Sequence, residues 1–268
     1  MQEKNVFVPS LNSPEALLSY RSSSSSDVTG PQLPASDCVV VVPTYNEREN
    51  IVDLIFALQG IAERVDILIV DDNSPDGTAT LVQQLMQSRS GIYLMHRPGK
   101  RGIGSAYKEA FTFALQKSWR YICQIDADFS HSPEDVLRLL ECCRKGADLT
   151  IGSRYILGGK VVGWSLWRRF LSRAANFLAQ LLLQSQICDL TSGFKCFTRQ
   201  ALELINLDCI TSDGYIFQVE MNHQARLKGL RIEQLPICFK ERRRGKSKLR
   251  MKEAWIGMWR LFRLAWRF

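Results

Sequence analysis

From Asp37 onward, short runs that are apolar on both faces alternate with stretches whose apolar residues return at helical spacing. Cys38–Val42 is a β-branched run without a polar face, which predicts a strand buried between two layers. Glu49–Ile61 follows as a helix, and Ile67–Val70 as a second buried strand ending in Asp71-Asp72. The turn Asn73–Gly77 leads into a helix over Thr78–Gln87. Ile92–Met95, a helix over Gly104–Lys117 and the strand Tyr121–Ile125 continue the pattern, and a helix Asp135–Cys143 and a strand Leu149–Ile151 complete it. This alternation predicts an α/β fold, a mostly parallel sheet flanked by helices, with ligands bound beyond the carboxyl ends of the strands.

The first 36 residues lack this periodicity and carry the run Ser22–Ser26, so 1–36 is expected to be a disordered tail. The chain is +8 overall, but 11 basic and 2 acidic residues fall between Lys240 and the C-terminus, leaving the rest nearly neutral. A cationic end of this kind seeks phosphate, as nucleic acid, anionic lipid or phosphorylated substrate. The 8 cysteines include no Cys-x-x-Cys, and several lie in strand-like runs, which reads as reduced core thiols rather than zinc ligands. No run approaches the ~20 apolar residues of a membrane span.

Three strand ends carry chemistry. The first opens into Pro43-Thr44-Tyr45-Asn46-Glu47, offering a ring, an amide and a carboxylate, or simply a turn with Thr44 or Asn46 as helix cap. The second opens into Asp71–Thr78, whose carboxylates suit a ribose hydroxyl or a nucleobase edge. The third, after Gln124-Ile125, is Asp126-Ala127-Asp128-Phe129-Ser130-His131-Ser132-Pro133. Carboxylates at i and i+2 after a buried strand converge on one hard cation, Mg²⁺ or Mn²⁺, whose other positions go to substrate phosphates. Ser132 also reads as an N-cap before Pro133 and Glu134. Cations appear downstream at Arg154, at Arg168, Arg169 and Arg173 beside Trp164 and Trp167, and in Arg242–Lys248. Asp189–Lys195 reads as a turn. Gly99–Gly104 lacks both the Gly-Lys-Ser/Thr ending and the dinucleotide glycine spacing.

VVVPTYNERENI, ILIVDDNSPDGTA, DADFSHSPED, IGSRY, DLTSGFKCF and FKERRRGKSKL together resemble the dolichol- or polyprenol-phosphate mannosyltransferases of glycosyltransferase family 2, with the GT-A fold. The resemblance keeps order and spacing over about Asp37–Arg250, implying a GT-A domain over 37–250. It implies that Pro43, Tyr45, Glu47, Val70 and Asp72 hold the guanosine of GDP-mannose. Asp126, Ala127 and Asp128 would then hold the metal-bound diphosphate, with Asp126, Asp128 and Ser130 on the metal side. Ser130 stands where many relatives have Gln. Arg154, Arg242 and Lys248 would face phosphates and Arg173 the lipid phosphate, with Asp128 and Arg154 in the catalytic roles.

The reaction implied is inverting transfer of mannose to a polyprenyl or dolichyl phosphate in a membrane. UDP-glucose is the alternative donor. A nucleic-acid-binding module would account for the basic end but not for three acid-bearing strand ends, so no nucleic-acid partner is expected. No general base is needed, because a lipid phosphate with a second pKa of about 6 is already a nucleophile. His131 is read as structural. The segment 251–268 carries Trp255, Trp259, Phe262 and Trp266 on one side of a helical wheel and Arg260, Arg263 and Arg267 on another. It is expected to lie in a membrane interface, the alternative being a helix packed on the domain. Relatives in this family carry C-terminal spans or are held by small membrane subunits, and this chain matches the span-free form. The expected location is peripheral, on the cytoplasmic side of a membrane: endoplasmic reticulum in a eukaryote, plasma membrane in a prokaryote.

Overall fold

The computed structural model describes residues 26–241, 259–264 and 266. In chain order the strands are β1 (Asp27–Thr29), β2 (Cys38–Thr44), β3 (Asp66–Asp71), β4 (Ile92–His96), β5 (Tyr121–Gln124) and β6 (Leu149–Ser153), then β7 (Lys160–Val162), β8 (Lys195–Thr198), β9 (Ile232–Pro236) and β10 (Cys238–Lys240). The helices are α1 (Arg48–Gln59), α2 (Thr78–Ser88), α3 (Ile103–Leu115), α4 (Asp135–Arg144), α5 (Leu166–Leu183), α6 (Arg199–Leu204) and α7 (Tyr215–Leu227). Residues 259–264 add a short helix, α8.

β2 lies inside an eight-stranded sheet of order β1-β4-β3-β2-β5-β8-β6-β9. It pairs in parallel with β3 and β5, and only the pairings made by β1 and β8 are antiparallel. The sheet's two faces follow from the alternation of side chains along a strand. Val39, Val41, Leu68 and Val70 face one core cluster, filled by α3 (Tyr107, Phe111), α5 (Ala179, Leu183) and α7 (Phe217, Met221). Cys38, Val40, Val42, Ile67 and Ile69 face the other, filled by α1 (Ile51, Leu54, Ile55), Val82 of α2 and Leu139 of α4. Both faces are covered, so the strands read as continuous apolar runs. A small parallel pair, β7 and β10, stands apart from the sheet.

The expected tail 1–36 is too long. Asp27–Thr29 pairs antiparallel with β4, and the N–H groups of Ala35 and Ser36 donate to the Asp66 carboxylate at 2.9 and 3.3 Å. An edge strand held by backbone bonds needs no apolar periodicity, so the hydropathy pattern carries no trace of it. Residues 1–25 lie outside the described residues. The turn expected over Asp189–Lys195 ends one residue early, because Lys195 opens β8, which inserts between β5 and β6.

Three turns leave the carboxyl edge of adjacent strands through non-glycine residues with left-handed backbone: Asn46 (φ 59°) after β2, Asn73 (φ 55°) after β3 and Phe129 (φ 58°) after β5. Asn tolerates this region, whereas for a bulky residue such as Phe129 it is strained, and such strain clusters at sites of function.

Candidate active site

At the first strand end, Glu47 occupies the N-cap position of α1 without capping it through its side chain. Its carboxylate accepts from Asn50 Nδ2 at 2.9 Å, and its N–H donates to Thr78 Oγ1 at 3.1 Å. Neither Thr44 nor Asn46 is the cap: Thr44 Oγ1 donates to Asp71 Oδ1 at 2.9 Å instead. Asp71 also accepts from the N–H and hydroxyl of Ser74 at 2.9 and 2.6 Å, so this acid shapes the turn. Lys100 Nζ sits 4.3 Å from the centre of the Tyr45 ring, which brings the 97–102 loop over the first strand end. Pro43 is half-buried beside Val70 in the β2–β3 register.

Asp72, expected at the guanosine, is buried and ion-paired with the fully buried Arg97. Burial raises its carboxyl pKa, and Arg97 opposes the rise. Arg97 also donates to Glu109 at 3.0 and 3.2 Å and to Ser105 Oγ at 2.6 Å, and Ser26 Oγ reaches Glu109 at 2.6 Å. Sequence reasoning missed this cluster. Its signal was the cation placed directly after the strand Ile92–His96, at the next strand end beside Asp72. The loop is pinned at its far end, where Asp213 Oδ1 accepts the Gly104 N–H at 2.7 Å. Gly102 (φ 94°) lets the chain pass, since a Cβ there would lie 1.9 Å from the Asp213 carboxylate.

Burial limits how two of the expected residues can meet a ligand. The side chains of Val70 and Ala127 both lie in the core, so any ligand contact from them is through the backbone.

At the third strand end, Asp126 has a side chain 35% exposed, while Asp128 is buried and accepts the Ser130 N–H at 3.0 Å. Ser130 is itself buried, and its carbonyl accepts the Lys240 N–H at 3.0 Å. The basic segment therefore starts against the Asp126–Ser130 turn. Arg242 and Lys248 lie outside the described residues. His131 is buried, stacked 4.8 Å from Phe194 and edge-on 5.1 Å from Phe239. Burial, seconded by the charge of Arg154, pushes its pKa down to about 4, so near neutral pH it is an uncharged packing ring, as expected. Among the described residues no group of three or more His, Cys, Asp and Glu forms a closed metal site. Two carboxylates with open positions suit a Mg²⁺- or Mn²⁺-like cation completed by phosphate oxygens, and do not suit a structural zinc.

Arg154, expected to face phosphate, is already engaged by a protein carboxylate. Its Nε and Nη2 donate to the two oxygens of the fully buried Asp189, each at 2.7 Å, and Nη2 also reaches Thr191 Oγ1 at 2.9 Å. The planar fork of Arg matches a carboxylate, and here a protein carboxylate takes it before any phosphate does. Gly193 of the same loop faces Asp126, so the 189–194 segment joins the arginine to the acid pair. Behind it Gln124 Nε2 donates to the Gly193 carbonyl at 2.9 Å and to Gln218 Oε1 at 2.8 Å. The buried Lys195 Nζ, whose pKa burial pushes well below the usual lysine value, donates to the same Gln218 oxygen at 2.8 Å. Arg173 is exposed on α5, its guanidinium 5.7 Å from the Tyr155 ring.

A mostly parallel sheet flanked by helices, with an Asp-x-Asp turn at its carboxyl edge, is the arrangement of the GT-A class of nucleotide-sugar transferases. Residues 39–205 match the model of glycosyl transferase family 2, and the chain belongs to that family. It is 41% identical over 218 residues to the polyprenol monophosphomannose synthase of Mycolicibacterium smegmatis, covering 81% of this chain and 82% of that one. It is 38% identical over 211 residues to the undecaprenyl-phosphate mannosyltransferase of Micrococcus luteus, covering 79% and 86%. In fold it is similar to glucosyl-3-phosphoglycerate synthase from Mycobacterium tuberculosis, solved with Mn²⁺, uridine diphosphate and glucosyl-3-phosphoglycerate (TM-score 0.61, 17% identity, 85% and 77% coverage). It is also similar to a mannosyltransferase from Pyrobaculum calidifontis solved with GDP-Man and Mn²⁺ (TM-score 0.55, 17% identity, 85% and 63% coverage).

Proposed function

We propose that this chain transfers mannose from GDP-mannose to polyprenyl or dolichyl phosphate, inverting the anomeric centre to give polyprenyl β-D-mannosyl phosphate and GDP. The observation that carries the reading is the Asp126–Asp128 pair beside the Arg154–Asp189 loop at one sheet edge. The names of the two mannosyltransferase relatives support the sugar and the lipid phosphate. The guanosine base is inferred from the motif resemblance.

A phosphate oxygen of the lipid attacks the anomeric carbon while the bond from that carbon to the diphosphate oxygen breaks. No proton need move, since the acceptor is ionised near neutral pH. Asp126 and Asp128 would hold the divalent cation, which supplies Lewis-acid neutralisation of the departing diphosphate. Tyr45 and the 97–102 loop enclose the base, and Asp72 is held rigid by Arg97. With Nε and Nη2 of Arg154 spent on Asp189 and Thr191, its phosphate contact falls to Nη1. Arg173, Arg242 and Lys248 are left to bring the two anions together. The enzyme works peripherally on the cytoplasmic side of its membrane, with or without small anchoring subunits; among the described residues no helix is long and apolar enough to cross one.

Turnover of the purified protein with polyprenyl phosphate and labelled GDP-mannose or UDP-glucose tests this. GDP-mannose is the expected donor, excess chelator stops transfer, and Asp128→Ala costs at least about 10²-fold. Preference for UDP-glucose would overturn the donor, and full turnover in chelator would overturn the metal role.

A further inference from the structure

Tyr107 carries an oxygen that its packing does not explain. The residue lies on α3, fully buried, with its ring stacked 5.7 Å from Phe111 and 5.8 Å from Phe217, the latter at an interplanar angle of 5°. Phenylalanine would fill that stack equally well. The hydroxyl is enclosed too, and it has no hydrogen-bond partner among the described residues. A buried hydroxyl left unbonded costs free energy, so its presence calls for an acceptor that reaches it in another state of the protein.

Charge and packing both indicate that acceptor. Burial pushes the phenol pKa well above its usual value, and the charges of Asp126 and Asp128 push it the same way. The group therefore stays protonated near neutral pH, a donor in the field of the two carboxylates. Phe217, which stacks on the ring, is followed on α7 by Gln218, whose Oε1 accepts from Gln124 Nε2 and from Lys195 Nζ at 2.8 Å each. Two donors fill that oxygen, so it is closed to the phenol. Gln124 Nε2 also holds the Gly193 carbonyl at 2.9 Å, and a Cβ on Gly193 would lie 3.7 Å from both oxygens of Asp126. The ring of Tyr107 thus leans on the bracket that underlies the acid pair.

A carboxylate that holds a cation through one oxygen is commonly oriented by a hydrogen bond to the other. We propose that Tyr107 is a positioning residue for the Asp126–Asp128 pair. When a divalent cation draws the two carboxylates together, the phenol donates to one carboxylate oxygen and turns its twin towards the cation. The inference rests on the proposed cation at that pair, and on neither the sugar donor nor the lipid acceptor.

The test is Tyr107→Phe, which removes one oxygen and keeps the ring. Because that oxygen has no partner in the free protein, the variant is expected to melt at or above the parent's midpoint. Its affinity for Mn²⁺, with and without inorganic pyrophosphate, is expected to fall at least about tenfold, read from the enhancement of water-proton relaxation. Mg²⁺, which is transparent in the near ultraviolet, should shift the parent's tyrosine absorption to the red, and Tyr107→Phe should lose that shift. Phe111→Leu loosens the same ring stack and serves as the control, with a lower melting midpoint and parent-like Mn²⁺ affinity. Parent-like Mn²⁺ affinity in Tyr107→Phe would overturn the proposal. So would an equal loss in Phe111→Leu, which would trace the effect to packing alone. A tyrosine band indifferent to Mg²⁺ would also overturn it, leaving Gln124 Oε1, an unbonded acceptor on β5, as the phenol's partner. If the parent binds no Mn²⁺, the cation reading falls together with the proposal; if parent and variant bind it alike, the proposal falls alone.

Discussion

Asp189 and Arg154 illustrate how a single residue changes meaning once its partner is known. Each is a charge taken out of water, and their two-pronged bond offsets that desolvation only while both remain. Asp189→Ala strands a buried guanidinium, at a cost of about 3–5 kcal/mol. At about 2–4 °C per kcal/mol, the melting midpoint should fall by roughly 6–20 °C by calorimetry. His131 carries a pH signature. In the folded protein it protonates only near pH 4, against about 6.5 when unfolded, so between these values the unfolded chain binds more protons. Its contribution is complete above pH 6.5 and is lost as pH falls towards 4, by up to about 3 kcal/mol. Denaturant titrations of metal-free protein should show this acid loss, and it should shrink in His131→Phe, which keeps a ring against Phe194.

Among the elements, α8 bears on only part of the segment expected either to lie in a membrane interface or to pack on the domain, since 251–258 lie outside the described residues. Leu261 and Leu264 are buried in the same core cluster as Ala179 and Leu183, so residues 259–264 pack on the domain. Trp259, Phe262 and Trp266 are 63%, 45% and 92% exposed, so its aromatic side still faces outward. A wheel that weighs aromatics and arginines overlooks two leucines that fill the gap between them. Deleting 252–268 would thus remove core as well as any lipid contact. The sharper comparison is Leu261→Ala/Leu264→Ala, expected to cost about 2–5 kcal/mol per buried leucine, against Trp259→Ser/Phe262→Ser, expected to leave melting unchanged and weaken vesicle binding. Thermal melts and sedimentation read the two effects separately.

For the whole molecule, the N-terminal boundary is the place where the strand count depends on contacts far along the chain. Asp66 takes bonds from Ala35 and Ser36 and from Trp119 Nε1 at 2.9 Å, and the Tyr93 hydroxyl donates to the Leu33 carbonyl at 3.1 Å. Truncation before Asp37, where the periodic pattern starts, would strip β1 and two donors to a buried carboxylate. About 2–3 kcal/mol of stability should go with them, read as a midpoint lower by roughly 5–10 °C.

The layers of this fold were legible because burial on both faces writes itself into sequence as unbroken β-branched runs, and amphipathic helices as a return every three or four residues. Cys38–Val42, Ile67–Val70 and the helix over Asp135–Cys143 all stand where that arithmetic puts them. The Asp126–Asp128 pair was legible for the same reason: the end of a buried strand is where a carboxylate is both expensive and useful. What the sequence could not determine was which charges cancel. Arg97 meets Asp72 across 25 positions and Arg154 meets Asp189 across 35, and no local pattern records either pairing. Nor could it tell which apolar residues of α5 and α8 face inward, since a helix's buried stripe depends on what is packed against it. Those choices belong to tertiary structure, because desolvation, unlike periodicity, is decided by neighbours that the chain brings together only on folding.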